Sequence, residues 1–143
     1  MRVPPTAPLM SSRWVRTASQ FASLSTSLIA ALETAQVVNL ESLDVQALSD
    51  RQVAAITTAN IAAMASTDLG YFTAPQVAGL TTAQVRAIET ADLGVFTGST
   101  LAALSSAHMA ALSTEQLAVM GSDQLRVLSA DQLAGLTTYQ ISS

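Results

Sequence analysis

Residues 80–87 read Leu80-Thr81-Thr82-Ala83-Gln84-Val85-Arg86-Ala87, and this pattern returns every eight residues along most of the chain. Numbered 1 to 8, its positions keep one register from Leu24 to Ser143, which is fifteen octads without insertion or deletion. Position 1 (Leu24 through Leu136) and position 6 (Ile29 through Ile141) are apolar in all fifteen. Position 5 is Gln, Asp or Asn in twelve, and every octad has Ser or Thr at position 2 or 3. Position 8 is mostly Ala or Gly. Self-similarity at a fixed short period marks a repeat protein.

A single continuous helix cannot use this pattern. Eight residues advance the helix by 800°, so an apolar stripe drifts about 80° per octad and no fixed face is buried. A short helix restarted in each octad fits better. Ser or Thr at position 2 with Gln at position 5 has the spacing of a capping box, and the apolar positions 1 and 6 flank it as a hydrophobic staple. Leu80, Thr81, Gln84 and Val85 form one complete helix start, and Leu112, Ser113, Gln116 and Leu117 another. Pro75, at position 4, suits a first helical turn. Where position 2 is Glu (Glu33, Glu41, Glu89), the cap is expected to move to Thr34, Ser42 and Thr90. Helices this short do not persist alone, so stacking must hold them.

The sequence therefore predicts an all-α solenoid of very short helices, one per octad, with a β-solenoid as the alternative. The alternative needs strand-forming residues and corners rich in Gly or Asn, and the chain has only six glycines. A longer period overlies the octad. Leu69-Gly70-Tyr71-Phe72-Thr73 returns as Leu93-Gly94-Val95-Phe96-Thr97, and Asp44, Asp68 and Asp92 repeat at the same 24-residue spacing. A coil of three octads, stacking Phe72, Phe96 and Met120 in one column, explains it. Duplication of a 24-residue unit explains it too. Positions 1 and 6 are expected to fill the interior, with small residues at position 8 letting backbones approach.

The chain falls into two regions: residues 1–23, a Pro- and Arg-containing leader with an irregular first repeat, and 24–143, the fifteen-octad solenoid. In the leader, Pro4, Pro5 and Pro8 disfavour regular structure. Trp14, between Arg13 and Arg16, reads as a cover for the first coil or as part of a basic docking arm.

Charged residues are 11% of the 143, well below the roughly 25% of ordinary domains. Residues 17–143 hold three Arg, no Lys and ten acids, a formal charge of −7. That balance argues against a nucleic-acid partner, which requires clustered cations. There is no cysteine, hence no disulfide and no thiolate site. No apolar run reaches the about 18 residues of a membrane span, and no secretory signal is visible.

No catalytic, cofactor-binding or metal-binding residue is identified. His108 is the single histidine and sits at position 5, where it reads as a polar substitute for Gln. Asp44, Asp68 and Asp92 read as a solvated acidic face, since single carboxylates on stacked helices cannot share a calcium shell. Tyr71 and Phe72 read as core or rim packing. With no titratable cluster, no enzymatic activity is expected.

The motif Leu-Ser/Thr-Thr-Ala-Gln-Val/Ile/Leu-x-Ala over residues 24–143 resembles octad arrays inside large secreted or surface-exposed proteins of proteobacteria. The resemblance implies an extracellular or cell-surface structural role; without a visible signal, the cytoplasm stays open. The final octad, Leu136–Ser143, keeps the full pattern, so either the chain is an excerpt of a longer array or its uncapped apolar end is expected to seek another surface. Two functions follow as expectations. One is a structural protein that self-assembles end to end into filaments or arrays. The other is an interaction scaffold or spacer in a secreted effector or adhesin, meeting a protein partner along its Ser/Thr/Gln face.

Overall fold

The computed structural model describes residues 22–96 and 98–142. The leader, with Trp14 and its flanking arginines, lies outside the described residues.

Each octad folds as one short helix. Their spans run Thr26–Ala30, Thr34–Val37, Ser42–Ala47 and onward to Thr138–Ser142, each of four to six residues. Only the octad 88–95 departs from α geometry, forming a 3-10 helix over Thr90–Val95. Among the described residues there is no strand. The solenoid of short helices is thus the fold, and the β-solenoid alternative does not hold for these residues.

The start of each helix is written in the octad. Ser49, Thr57, Thr81, Ser105, Ser113 and Ser129 all occupy the N-cap position and accept the backbone N–H three residues on. In return, at all of these caps but Thr57, the position-5 side chain accepts the N-cap N–H, as from Thr81 to Gln84 Oε1 at 2.8 Å. Pro75 falls in the first turn of Ala74–Ala78. The octads with Glu at position 2 correct one expectation. Their N-caps are Glu33, Glu41 and Glu89 themselves, with Thr34, Ser42 and Thr90 already helical. The eight-residue geometry fixes where the helix begins, and the residue that arrives there becomes the cap.

Between helices the chain turns on two extended residues. Leu48 (ψ 137°) and Ser49 (ψ 165°) are one such corner, and Ile56 (ψ 131°) and Thr57 (ψ 154°) the next. Both conformations are open to any L-residue, and no non-glycine residue among those described has a positive φ. Corners of this kind do not need glycine, which is why the chain has so few.

Three octads complete one coil. Thr26–Ala30 packs on Asp50–Ala55, which packs on Ala74–Ala78, which packs on Gly98–Ala102. Thr34–Val37, Thr58–Ala63, Thr82–Ala87, Ser106–Ala111 and Ala130–Ala134 make a second column, and Ser66–Leu69, Thr90–Val95 and Thr114–Ala118 belong to a third. Each of these contacts joins helices one coil apart. Phe72, Phe96 and Met120 lie 24 residues apart and are all buried.

The apolar part of the interior is built from two positions. Every buried hydrophobic residue among those described, from Ile29 to Leu128, occupies position 1 or position 6. Tyr71 is half-buried against this core and Phe72 lies within it. Position 8 is where backbones meet. A Cβ on Gly79 would lie 2.6 Å from the Asp50 Cβ and 3.0 Å from its Cα, one coil below. No helix among the described residues is long and apolar enough to cross a membrane.

Candidate functional site

The side chains that carry information between coils stand at position 5. Gln84 is 1% exposed and spends every polar group it has. Its Oε1 accepts the Thr81 N–H, as the capping box requires. Its Nε2 donates to the Val53 carbonyl at 2.7 Å and the Ile56 carbonyl at 2.6 Å, 31 and 28 residues back. Those carbonyls belong to the last turn of one helix and to the first residue of the next corner in the coil below. One amide therefore caps its own helix and pins the corner beneath it.

The rule repeats along the chain. Gln76 donates to Val45 and Leu48, Gln116 to Val85 and Ile88, and Gln124 to Leu93 and Phe96. Gln132 reaches Leu101 and Leu104, and Gln140 reaches Met109 and Leu112. Asn60, one methylene shorter, still reaches the Leu32 carbonyl at 2.8 Å. The result is a ladder of amides running through the stack, with each donor directed at backbone rather than at a side chain. Because it reads backbone, it holds whatever residues occupy the outward positions.

His108 takes a place in this ladder. Its Nδ1 accepts the Ser105 N–H at 3.0 Å, and Nε2 lies 2.6 Å from the Leu80 carbonyl. Those partners require the tautomer with the proton on Nε2. The imidazole thus mimics a Gln, accepting from its cap and donating to the coil below, which agrees with its reading as a polar substitute.

Two expectations are corrected here. The Gln residues do not form an outer face: Gln52, Gln76, Gln84, Gln116 and Gln132 are all buried. The Asp column is not a solvated face either, because Asp44 and Asp68 are buried and Asp92 is half-buried. Burial raises the carboxyls of Asp44 and Asp68 above the ordinary carboxylate range, partly opposed by a backbone hydrogen bond at each. The signal for the Gln role is present in the sequence. A capping box accepts Glu as readily as Gln, and Glu also suits a helix N-terminus. Yet none of the fifteen octads has Glu at position 5, while eight have Gln. Preference for Gln over the carboxylate of equal length marks a site that uses the N–H donor.

The last of the described coils presents a different surface. Position-6 residues from Ile29 to Met109 are at most 5% exposed, but Leu125 is 43% exposed, Leu133 45% and Ile141 69%. The ladder's register also leaves the corner carbonyls from Leu117 onward without a following coil among the described residues. Apolar side chains and backbone acceptors thus lie side by side, in the arrangement the inner coils use to bind their neighbours. A polar groove of about 250 Å³ beside this face is lined by Arg86, Ser113, Glu115, Tyr139 and Gln140. Among the described residues no group of His, Cys, Asp or Glu is placed to hold a metal ion.

No curated protein and no solved structure shows significant similarity to the chain. A family described as the ALTTAQ repeat matches residues 29–66, 85–122 and 109–143, together well over half of the sequence. Those six letters correspond to position 8 of one octad and positions 1 to 5 of the next, as in Ala111-Leu112-Ser113-Thr114-Glu115-Gln116 within a matched segment, and end on the amide that joins the coils. By its sequence over these segments, the chain belongs to the ALTTAQ repeat family.

Proposed function

We propose that the chain is a non-enzymatic structural module that assembles end to end, each copy's first coil seated on the last coil of the copy before it, into filaments or arrays. The observation that carries this reading is the exposed row Leu125, Leu133 and Ile141, whose counterparts in the coils beneath are covered by the next coil. Such a contact joins two different surfaces and does not close on itself, so it propagates. The partner it favours is specific. To cover the row and meet the corner carbonyls, it must offer apolar residues and an amide at eight-residue intervals, as another coil of this repeat does. An extracellular or cell-surface location is part of the proposal and rests on the resemblance to secreted and surface arrays.

Sedimentation velocity over a range of concentrations tests the reading. The expected result is mass that grows with concentration, reduced to a single monomer by Leu125→Glu with Leu133→Glu. These side chains are half-exposed, so the double variant is expected to keep the helical circular dichroism spectrum. A monomer at every concentration overturns the proposal. Rods visible by electron microscopy that persist in the double variant would place the contact elsewhere. The alternative, a scaffold or spacer for a different protein partner, loses part of its basis because Gln is withdrawn from the outer face.

A further inference from the structure

Three rungs of the ladder, Asp44, Asp68 and Asp92, carry a carboxyl where most others use an amide. Asp68 holds position 5 of the octad 64–71, is 8% exposed, and by the ladder's register stands over Val37 and Leu40, 31 and 28 residues back. Asn60 shows what a side chain of this length does in that place: its Nδ2 donates to the corresponding corner carbonyl, Leu32, at 2.8 Å. Asp and Asn have the same shape and differ in what they can donate. A protonated carboxyl has one O–H donor, whereas a carboxylate has none.

We propose that Asp68 is a proton-dependent rung: with its proton it donates to the Leu40 carbonyl and ties two coils together, and without it that tie is missing. The step is a simple proton uptake from solvent, with the O–H formed on the carboxylate turned toward the carbonyl. The ionised form is favoured only by the backbone hydrogen bond from Ala65, which burial outweighs. The charged neighbours are acids. Ser66–Leu69 packs on Thr90–Val95, which carries Asp92 and is capped by Glu89. The octad 40–47, which begins with Leu40 and lies 24 residues earlier in the sequence, carries Glu41 and Asp44, and the Glu41 N–H donates to Asp44 Oδ2 at 3.2 Å. None of these three octads contains an arginine. The basic residue nearest in sequence to Thr90–Val95, Arg86, lines the groove beside Glu115.

The direction of the pH effect follows. Burial holds the Asp68 carboxyl above its ordinary value, so the folded chain takes up this proton more readily than the unfolded one. The stability it contributes is complete below the ordinary carboxylate range and is lost as pH rises through the folded value. Mild acid, which loosens most proteins, tightens this column. Asp44 shares the burial and the direction.

The difference in thermal midpoint between Asp68→Asn and the unaltered chain, measured across pH 4 to 8, is the test, because every other titrating group is common to both. Asn supplies a permanent donor. The variant is expected to be more stable by a few degrees near pH 8, with the gap closing toward pH 4. A gap that does not change with pH, or that widens in acid, overturns the proposal. Carbon-13 titration of the Asp68 carboxyl in the unaltered chain gives an independent reading. A midpoint above the ordinary carboxylate value supports the rung, and one at the ordinary value refutes it.

Discussion

Gln84 shows how one side chain supports two levels of structure. As an acceptor it completes a helix start; as a donor it joins two coils. Buried polar groups are costly unless paired, and among the described residues every buried side-chain N and O has a partner. Gln84→Glu separates the two duties, because the carboxylate can still accept from Thr81 but can donate nothing to Val53 and Ile56. Leaving a charge and two carbonyls uncompensated in the interior is expected to cost about 3–5 kcal/mol near neutral pH, read by chemical denaturation. A loss below about 1 kcal/mol, the net worth of one ordinary hydrogen bond, would mean the amide does not hold the coils. His108→Gln asks the converse. It restores a second donor toward the Val77 carbonyl in place of one imidazole bond, so stability is expected to hold or rise by about 1 kcal/mol; a clear loss would show that the ring is needed for its shape. At this scale much of the site is legible in the sequence. Apolar residues at positions 1 and 6 identify the core, and the Ser/Thr-to-Gln spacing identifies the cap. The donor half shows only in the absence of Glu at position 5, and its partners cannot be read, because they lie 28 and 31 residues away and belong to another coil. Asp68 is opaque for the same reason, since a carboxylate looks solvated until the coil below it is known.

At the scale of the element, each helix is too short to stand alone, and its length is set by the two extended corner residues rather than by propensity. Backbone closeness then decides which small residues matter. Gly79 sits against the Asp50 backbone, whereas a Cβ on Gly94 would meet nothing within 4 Å. Gly79→Ala is therefore expected to cost about 1–3 kcal/mol by forcing two coils apart. Gly94→Ala is expected to be neutral or to gain up to about 1 kcal/mol from reduced chain entropy. Thermal midpoints of the two variants compare them directly, and an equal loss in both would contradict the packing described. Gly98 is a separate case, with φ +46° at the start of Gly98–Ala102, where a side chain would strain the backbone. The caps at Glu33, Glu41 and Glu89 carry the lesson of this scale. Residue preference favours the neighbouring hydroxyl, but the octad's corner has already fixed the helix start.

Across the whole molecule, stability is a sum of coil-to-coil contacts, as in other linear repeats. The unit of that sum is the coil of 24 residues, which the sequence shows only faintly in Phe72, Phe96 and Met120 and in the Asp spacing. Contacts between successive coils distinguish the coil from a mere duplication. Removal of residues 80–103 deletes one whole coil and leaves every column in phase. Removal of residues 80–87 deletes one octad and shifts Phe96 from the column of Phe72 to that of Met64. The larger deletion is expected to give a cooperative fold with stability reduced in proportion to the coils lost. The smaller is expected to cost at least as much, although it removes a third as many residues. Denaturant midpoints of the two would reverse in order if the octad, not the coil, were the unit.

Position-5 amides fasten each coil to the one below, and through-hydrogen-bond scalar couplings, measured by NMR on labelled protein, test this bond by bond. The expected result is a coupling from Gln84 Nε2 to each of the Val53 and Ile56 carbonyls, with side-chain amide protons slow to exchange. Rapidly exchanging Gln84 amide protons with no such coupling would contradict it.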